Sequence, residues 1–197
     1  MGIESRPIEP HWNYLLAFDT DLVEVSRYVE FHENNFGCFS IEIARLLLAA
    51  AAEVDVVCKL LCKSINAKST ADNIHAYREE IKRAFPGIVK FKILLPRFGL
   101  TLRPWDEWSK KQGVPFWWTA YNKVKHQRDV YFERASLKNA LNAVAGLFVM
   151  VLYLYKDKAR LGELVPSPQL LRVDAEHHGG MAVGGYETGL SYNLDDR

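Results

Sequence analysis

Ile41 to Ile65 reads IEIARLLLAAAAEVDVVCKLLCKSI. No proline or glycine interrupts it, Ser40 just before it is a good N-cap, and Glu42 in the first turn suits the helix dipole. At about 100 degrees per residue, Glu42, Arg45, Glu53, Asp55, Lys59 and Lys63 gather in an arc of about 160 degrees, leaving the rest of the circumference to Leu, Ala, Val, Ile and Cys. The stretch predicts a central helix with one polar face. Asp55 and Lys59 are an i, i+4 pair in the favourable order, and their simplest role is a solvated ion pair.

Before this helix, Pro7 and Pro10 argue against an early helix, and Trp12, Tyr14 and Phe18 form an aromatic patch expected to dock on the body. Asp19 or Thr20 then caps a helix on which Leu22, Val25, Val29 and His32 recur at helical spacing, ending near Asn34, Asn35 and Gly37. After the central helix, Ser69 and Thr70 open another, Ala71 to Ala84, stopped by Pro86 and Gly87. The period then changes. Val89, Phe91 and Ile93 alternate with Lys90 and Lys92, Leu100 and Leu102 alternate with Thr101 and Arg103, and Pro96 to Gly99 lies between, which predicts a small hairpin. Asp106 caps a short helix through Lys111, and Gly113 and Pro115 break the chain.

A second long helix is expected from Arg134 to Ala159, stopped by Gly162. It is apolar nearly all round between Ala143 and Tyr155, which implies burial against several neighbours, in this chain or in a second subunit. From Pro166 onward prolines and glycines recur without helical period, which reads as an extended arm over the body or a partner, with His177 and His178 as a polar pair. The fold class is mostly α: one antiparallel helical bundle over residues 1–165 with a small inserted β-hairpin, and an extended C-terminal tail over 166–197.

The chain has 197 residues, 49% apolar and 25% charged, the balance of a soluble globular protein. Its longest apolar run falls short of the roughly 20 residues that span a bilayer, so a core helix and no membrane partner are expected. Cys38, Cys58 and Cys62 are odd in number and without a secreted spacing, which points to reduced thiols and a cytoplasmic setting. Cys58 and Cys62 stand one turn apart but lack the further ligands of a zinc site, and no glycine-rich phosphate loop is present, so neither metal nor cofactor is expected. Charge is uneven. Residues 1–36 hold seven acidic and two basic side chains, whereas residues 97–128 hold seven basic and two acidic ones. Either the regions neutralise each other across the fold, or the second is a basic surface for an anionic partner such as nucleic acid.

The densest chemistry lies in Phe116 to Phe132, FWWTAYNKVKHQRDVYF. With Pro115 at its start, it predicts helix for at least Trp117 to Gln127. Spacing of four puts Asn122 and His126 on one face, with Asp129 in reach of His126 if the helix continues, while Lys125 and Arg128 form a cationic stripe beside Tyr121 and Trp117. A histidine changes charge near neutral pH, so it can move a proton while lysine and arginine hold a phosphate; it can equally serve structure alone.

Asn122 to Arg128, NKVKHQR, followed by a helix rich in Ala and Leu, resembles the signature end of HEPN-type helical domains, in which a polar residue and a histidine begin a late helix of a bundle. Glu53, Asp55 and Lys59 resemble the acidic helix of many such proteins, and the resemblance covers roughly residues 20 to 160. It implies an RNA-binding protein, a metal-independent endoribonuclease of a toxin or antiviral defence system, working as a homodimer with the two motifs facing each other. Asn122 and His126 would be catalytic. Lys125 and Arg128 would hold phosphate, and Trp118, Tyr121 or Trp117 would stack a splayed base. The family motif usually carries an arginine ahead of the polar residue; Trp118, Thr119, Ala120 and Tyr121 occupy that stretch here. Either Lys125 or Arg128 substitutes for it, or the domain binds without cleaving. The alternative function is a non-catalytic helical module that binds a protein or nucleic-acid partner.

Overall fold

The computed structural model describes residues 2, 8–174, 182–183 and 189–194. Six helices follow in order among them: α1 Pro10–Val25, α2 Ile41–Ile65, α3 Ile74–Ala84, α4 Phe116–Tyr131, α5 Leu137–Leu154 and α6 Lys156–Leu161. α2 has the span its pattern predicts, and the Ser40 hydroxyl accepts from the Ile43 N–H at its start. α2 and α5 pack along each other as the central pair, with α1, α3 and α4 laid against them. The fold is a mostly α bundle with a small β insert.

α5 explains why its sequence is apolar on every side: fifteen of its eighteen residues are buried. By length and composition it could cross a membrane, but 83% of it lies inside the fold, and each fully buried leucine or valine contributes about 1.5–3 kcal/mol there. Its glycine has a packing reason. A Cβ on Gly146 would stand 2.9 Å from Cζ2 of Trp117, so the glycine lets an indole from α4 lie directly on the α5 backbone.

Several boundaries differ from the sequence expectation. The first helix begins at Pro10 instead of after Asp19, because a proline at the first helical position lacks only an N–H that would be unpaired anyway. Trp12 and Phe18 are thereby buried on α1, while Tyr14 faces out. α3 begins after Asn73, whose Oδ1 accepts from both His75 and Ala76 N–H groups, instead of after Ser69 and Thr70. Asp106 does not cap an α-helix; residues Asp106–Ser109 form a single 3₁₀ turn. The long C-terminal helix breaks at Tyr155 (φ −104, ψ 36), and α6 ends at Gly162 in the left-handed region, φ 72.

The hairpin forms further along than its alternation suggested: β1 Ile93–Leu95 pairs antiparallel with β2 Leu100–Leu102, while Pro86–Lys90 is a 3₁₀ turn. Gly99, at φ 63, makes the return. The tail then adds a third strand, β3 Arg172–Val173, on the free edge of β1, and a further short pair joins β4 Ala182–Val183 to β5 Gly189–Leu190. Residues 166–171, Tyr192 and Leu194 of the tail are tied to the body. Asp19 is 1% exposed and accepts the backbone N–H groups of Gln169, Leu170 (3.1 Å) and Leu171 (3.2 Å). Trp12 Nε1 donates to the Pro166 carbonyl at 3.0 Å, and Tyr192 and Leu194 are buried. His177 and His178 lie outside the described residues.

Candidate nucleic-acid interface

α4 opens at Pro115, whose carbonyl accepts from the N–H groups of Trp118 and Thr119. Its inner side is a chain of rings. Trp117 is fully buried, donates Nε1 to the Pro104 carbonyl at 2.9 Å and meets Trp105 edge-on at 5.3 Å. Trp118 touches Trp117 at 5.8 Å and Tyr121 at 5.4 Å. Trp118 and Tyr121 are each 6% exposed, so the rings expected to stack a base are committed to the core.

The outer side carries the polar chemistry. Lys123, Lys125, His126 and Arg128 are exposed and Asn122 is half-buried. Lys125 Nζ stands 5.4 Å from the Tyr121 ring and Lys123 Nζ 4.9 Å from the Tyr131 ring. Such contacts hold an ammonium at about 0.5–1 kcal/mol without neutralising it. Among the described residues, none of Lys123, Lys125 and Arg128 has a carboxylate in ion-pair range.

Asn122 and His126 stand one turn apart, but among the described residues no hydrogen bond ties either side chain. Gln127 leaves helical geometry (φ −144, ψ 53), which removes the spacing that would have set Asp129 beside His126. Asp129 instead lines a cavity of about 710 Å³ with Ile41, Ala44, Arg128 and Phe132. A second cavity, about 480 Å³, lies between Leu48 and Ala52 of α2 and Tyr121, Val124, Lys125 and Arg128 of α4. Lys125 and Arg128 thus meet at an α2–α4 groove, and Asn122 and His126 line neither cavity.

Elsewhere the fold orients a histidine against a carboxylate. His11 Nδ1 lies 2.6 Å from Glu53 Oε1, with the two side chains 17% and 12% exposed. Burial pushes the Tyr155 hydroxyl up, opposed by a hydrogen bond with the His11 backbone, and Lys158 pairs with Glu9 close by. These contacts fasten the start of α1 to α2 and α6. The pair has no local sequence signal, because 42 residues separate its members and Pro10 argues against the helix that carries His11. Glu53 and Asp55, which share the acidic helix of the resemblance, therefore have different partners. Asp55 accepts from the Tyr77 hydroxyl at 2.9 Å and pairs with Lys59.

Burial pushes the Cys58 thiol well up, and burial followed by the neighbouring Glu80 pushes Cys62 up to about 12. Both stay protonated at neutral pH, which makes them poor nucleophiles. Among the described residues no group of three or more His, Cys, Asp or Glu side chains is arranged to hold a metal ion. Fold and surface together define a mostly α bundle with one exposed cationic helix. Comparison with family models, with curated proteins and with solved structures finds no match.

Proposed function

We propose that this chain binds RNA through the outer side of α4 and acts as a metal-independent endoribonuclease of the HEPN-like kind, serving a toxin or antiviral defence system. The observation that carries the binding reading is that Lys123, Lys125 and Arg128 lie exposed on one helix with no carboxylate in range among the described residues. Cations left in water in this way exchange their counterions for phosphates, which is the main source of affinity for a nucleic-acid backbone. In the cleavage step the 2'-oxygen of the RNA bonds to the adjacent phosphorus and the bond from phosphorus to the 5'-oxygen breaks. His126 takes the 2'-hydroxyl proton and returns it to the departing 5'-oxygen, with Asn122 steering the phosphate and Lys125 and Arg128 countering its charge.

The test is a fluorescence-anisotropy titration of labelled RNA, followed by incubation of RNA with wild type and His126→Ala in EDTA. Binding by both proteins with cleavage by the wild type alone is expected. Equal cleavage by the two sinks the role of His126, and no binding by either sinks the proposal. A second reading, a non-catalytic module for a protein or nucleic-acid partner, is favoured by the apolar side chains exposed around the start of α2, Phe39 at 46% just before it and Ile41 at 76% in its first turn. RNA binding without cleavage moves the function towards it.

A further inference from the structure

On the side of α4 away from α2 lies another groove, richer in cations than the first. One cavity there, about 460 Å³, is bordered by Phe116, Thr119 and Lys123 of α4, by Arg134 in the turn before α5, and by Lys138 and Asn139 in the first turn of α5. It shares Phe116 and Lys138 with a cavity of about 510 Å³ that runs on to Arg103 after β2, Asn142 of α5 and Phe36. Arg103, Lys123, Arg134 and Lys138 therefore line one path, against a single lining carboxylate, Asp106. The α2 groove has Lys125 and Arg128 against Asp129. Of the four cations, only Arg134 has a carboxylate in range among the described residues, Glu133 at 3.4 Å, and both members of that pair are more than half exposed. Lys138 Nζ sits 5.1 Å over the Phe116 ring, which positions its charge without cancelling it.

We infer that this groove is the path of a single RNA strand, an inference that rests on the RNA-binding reading above. Three separate parts of the chain, the end of the hairpin, α4 and the start of α5, bring their cations together here, so the convergence comes from the fold and not from one charged run. The half-buried rings of Phe36 and Phe116 on the walls offer apolar surface to bases. Bases can reach such walls only when they are splayed from a single strand; a closed duplex presents its backbone and keeps its bases stacked inside. Lys123, one turn from His126, joins the groove to the outer side of α4, so a strand in the groove passes beside that histidine.

The experiment compares wild type with two groove variants, Arg103→Ala/Lys138→Ala and Thr119→Glu, and with the α2-side variant Lys125→Ala/Arg128→Ala. The probe is labelled single-stranded RNA of about 12 nucleotides, within the range that such grooves cover. Thr119→Glu places an acid in the first turn of α4, where the helix dipole favours it, so this variant stays folded while repelling phosphate. Thermal melts check every variant. Affinity is expected to fall about tenfold or more in both groove variants, and the salt slope of the double variant to drop by about 1.4, for two phosphate contacts at roughly 0.7 each. The α2-side variant loses less, and a duplex of the same length binds more weakly than the strand. Wild-type binding that survives in both groove variants and vanishes in the α2-side variant overturns the path while leaving RNA binding intact. Equal affinity for the duplex overturns the single-strand assignment, and failure of the wild type to bind RNA removes the path together with the function it rests on.

Discussion

The two sides of α4 carry different residue types and hold them in different ways. On the inner side, Trp117, Trp118 and Tyr121 interlock, and the one indole N–H at the centre, that of Trp117, has a carbonyl partner. On the outer side, Asn122 and His126 have no hydrogen-bonding side-chain partner among the described residues, and the lysines are steered only by ring faces. The difference separates what each side can report. A side chain held by packing and a satisfied hydrogen bond shows its loss in folding stability. One that nothing holds shows its loss only when a ligand arrives.

The largest expected effect sharpens the inner half of this contrast. Trp117→Ala removes a fully buried indole, opens a cavity against Gly146 and leaves the Pro104 carbonyl without its donor. Urea unfolding is expected to show a loss of about 3–5 kcal/mol. A loss below about 1 kcal/mol, the size of a surface change, would mean that the ring stack is not what anchors α4.

The same rule reaches the far end of the chain. Asp19→Ala removes the acceptor of three backbone N–H groups, two of them on the buried Leu170 and Leu171. A loss of about 2–3 kcal/mol is expected, since each buried donor left unpaired costs on the order of 1–3 kcal/mol and the loop can relax towards water. Amide exchange at Leu170 and Leu171 should rise above that of α5. Unchanged exchange there would show that β3 and the buried tail residues hold the segment without Asp19.

What could be read beforehand follows from how local each cause is. α2 was legible because twenty-five residues without a breaker and a serine cap all act within one helix. α1 was not, since a proline breaks a helix anywhere except at its first turn, and only the packing of Trp12 against Phe148 and Pro166 reveals that Pro10 is at the start. In the candidate interface, Lys125, His126 and Arg128 could be picked out because they share a helix. Arg103 already counts among the basic side chains of residues 97–128, but its place beside Phe116 comes only from the hairpin, and Arg134 and Lys138 lie outside that stretch and are brought there by the chain around the start of α5. The kink at Gln127 likewise has no sequence signal, since no proline or glycine marks it. It separates Asp129 from His126 and so removes the orienting carboxylate that helical spacing had predicted.

The smallest expected effect on stability tests the outer half. His126→Ala and Asn122→Ala should each leave unfolding within about 0.5 kcal/mol of wild type, the usual range for surface side chains without a special contact. In the same proteins RNA cleavage should fall at least about a hundredfold for His126→Ala, the low end of what a positioned proton-transfer group contributes. For a histidine with no orienting partner in the free protein, that loss requires RNA itself to complete the geometry, with a phosphate held by Lys125 or Arg128 taking the place that Glu53 takes for His11. A stability loss above about 1.5 kcal/mol in His126→Ala would mean the side chain is already held, and the two sides of α4 would then differ in exposure alone.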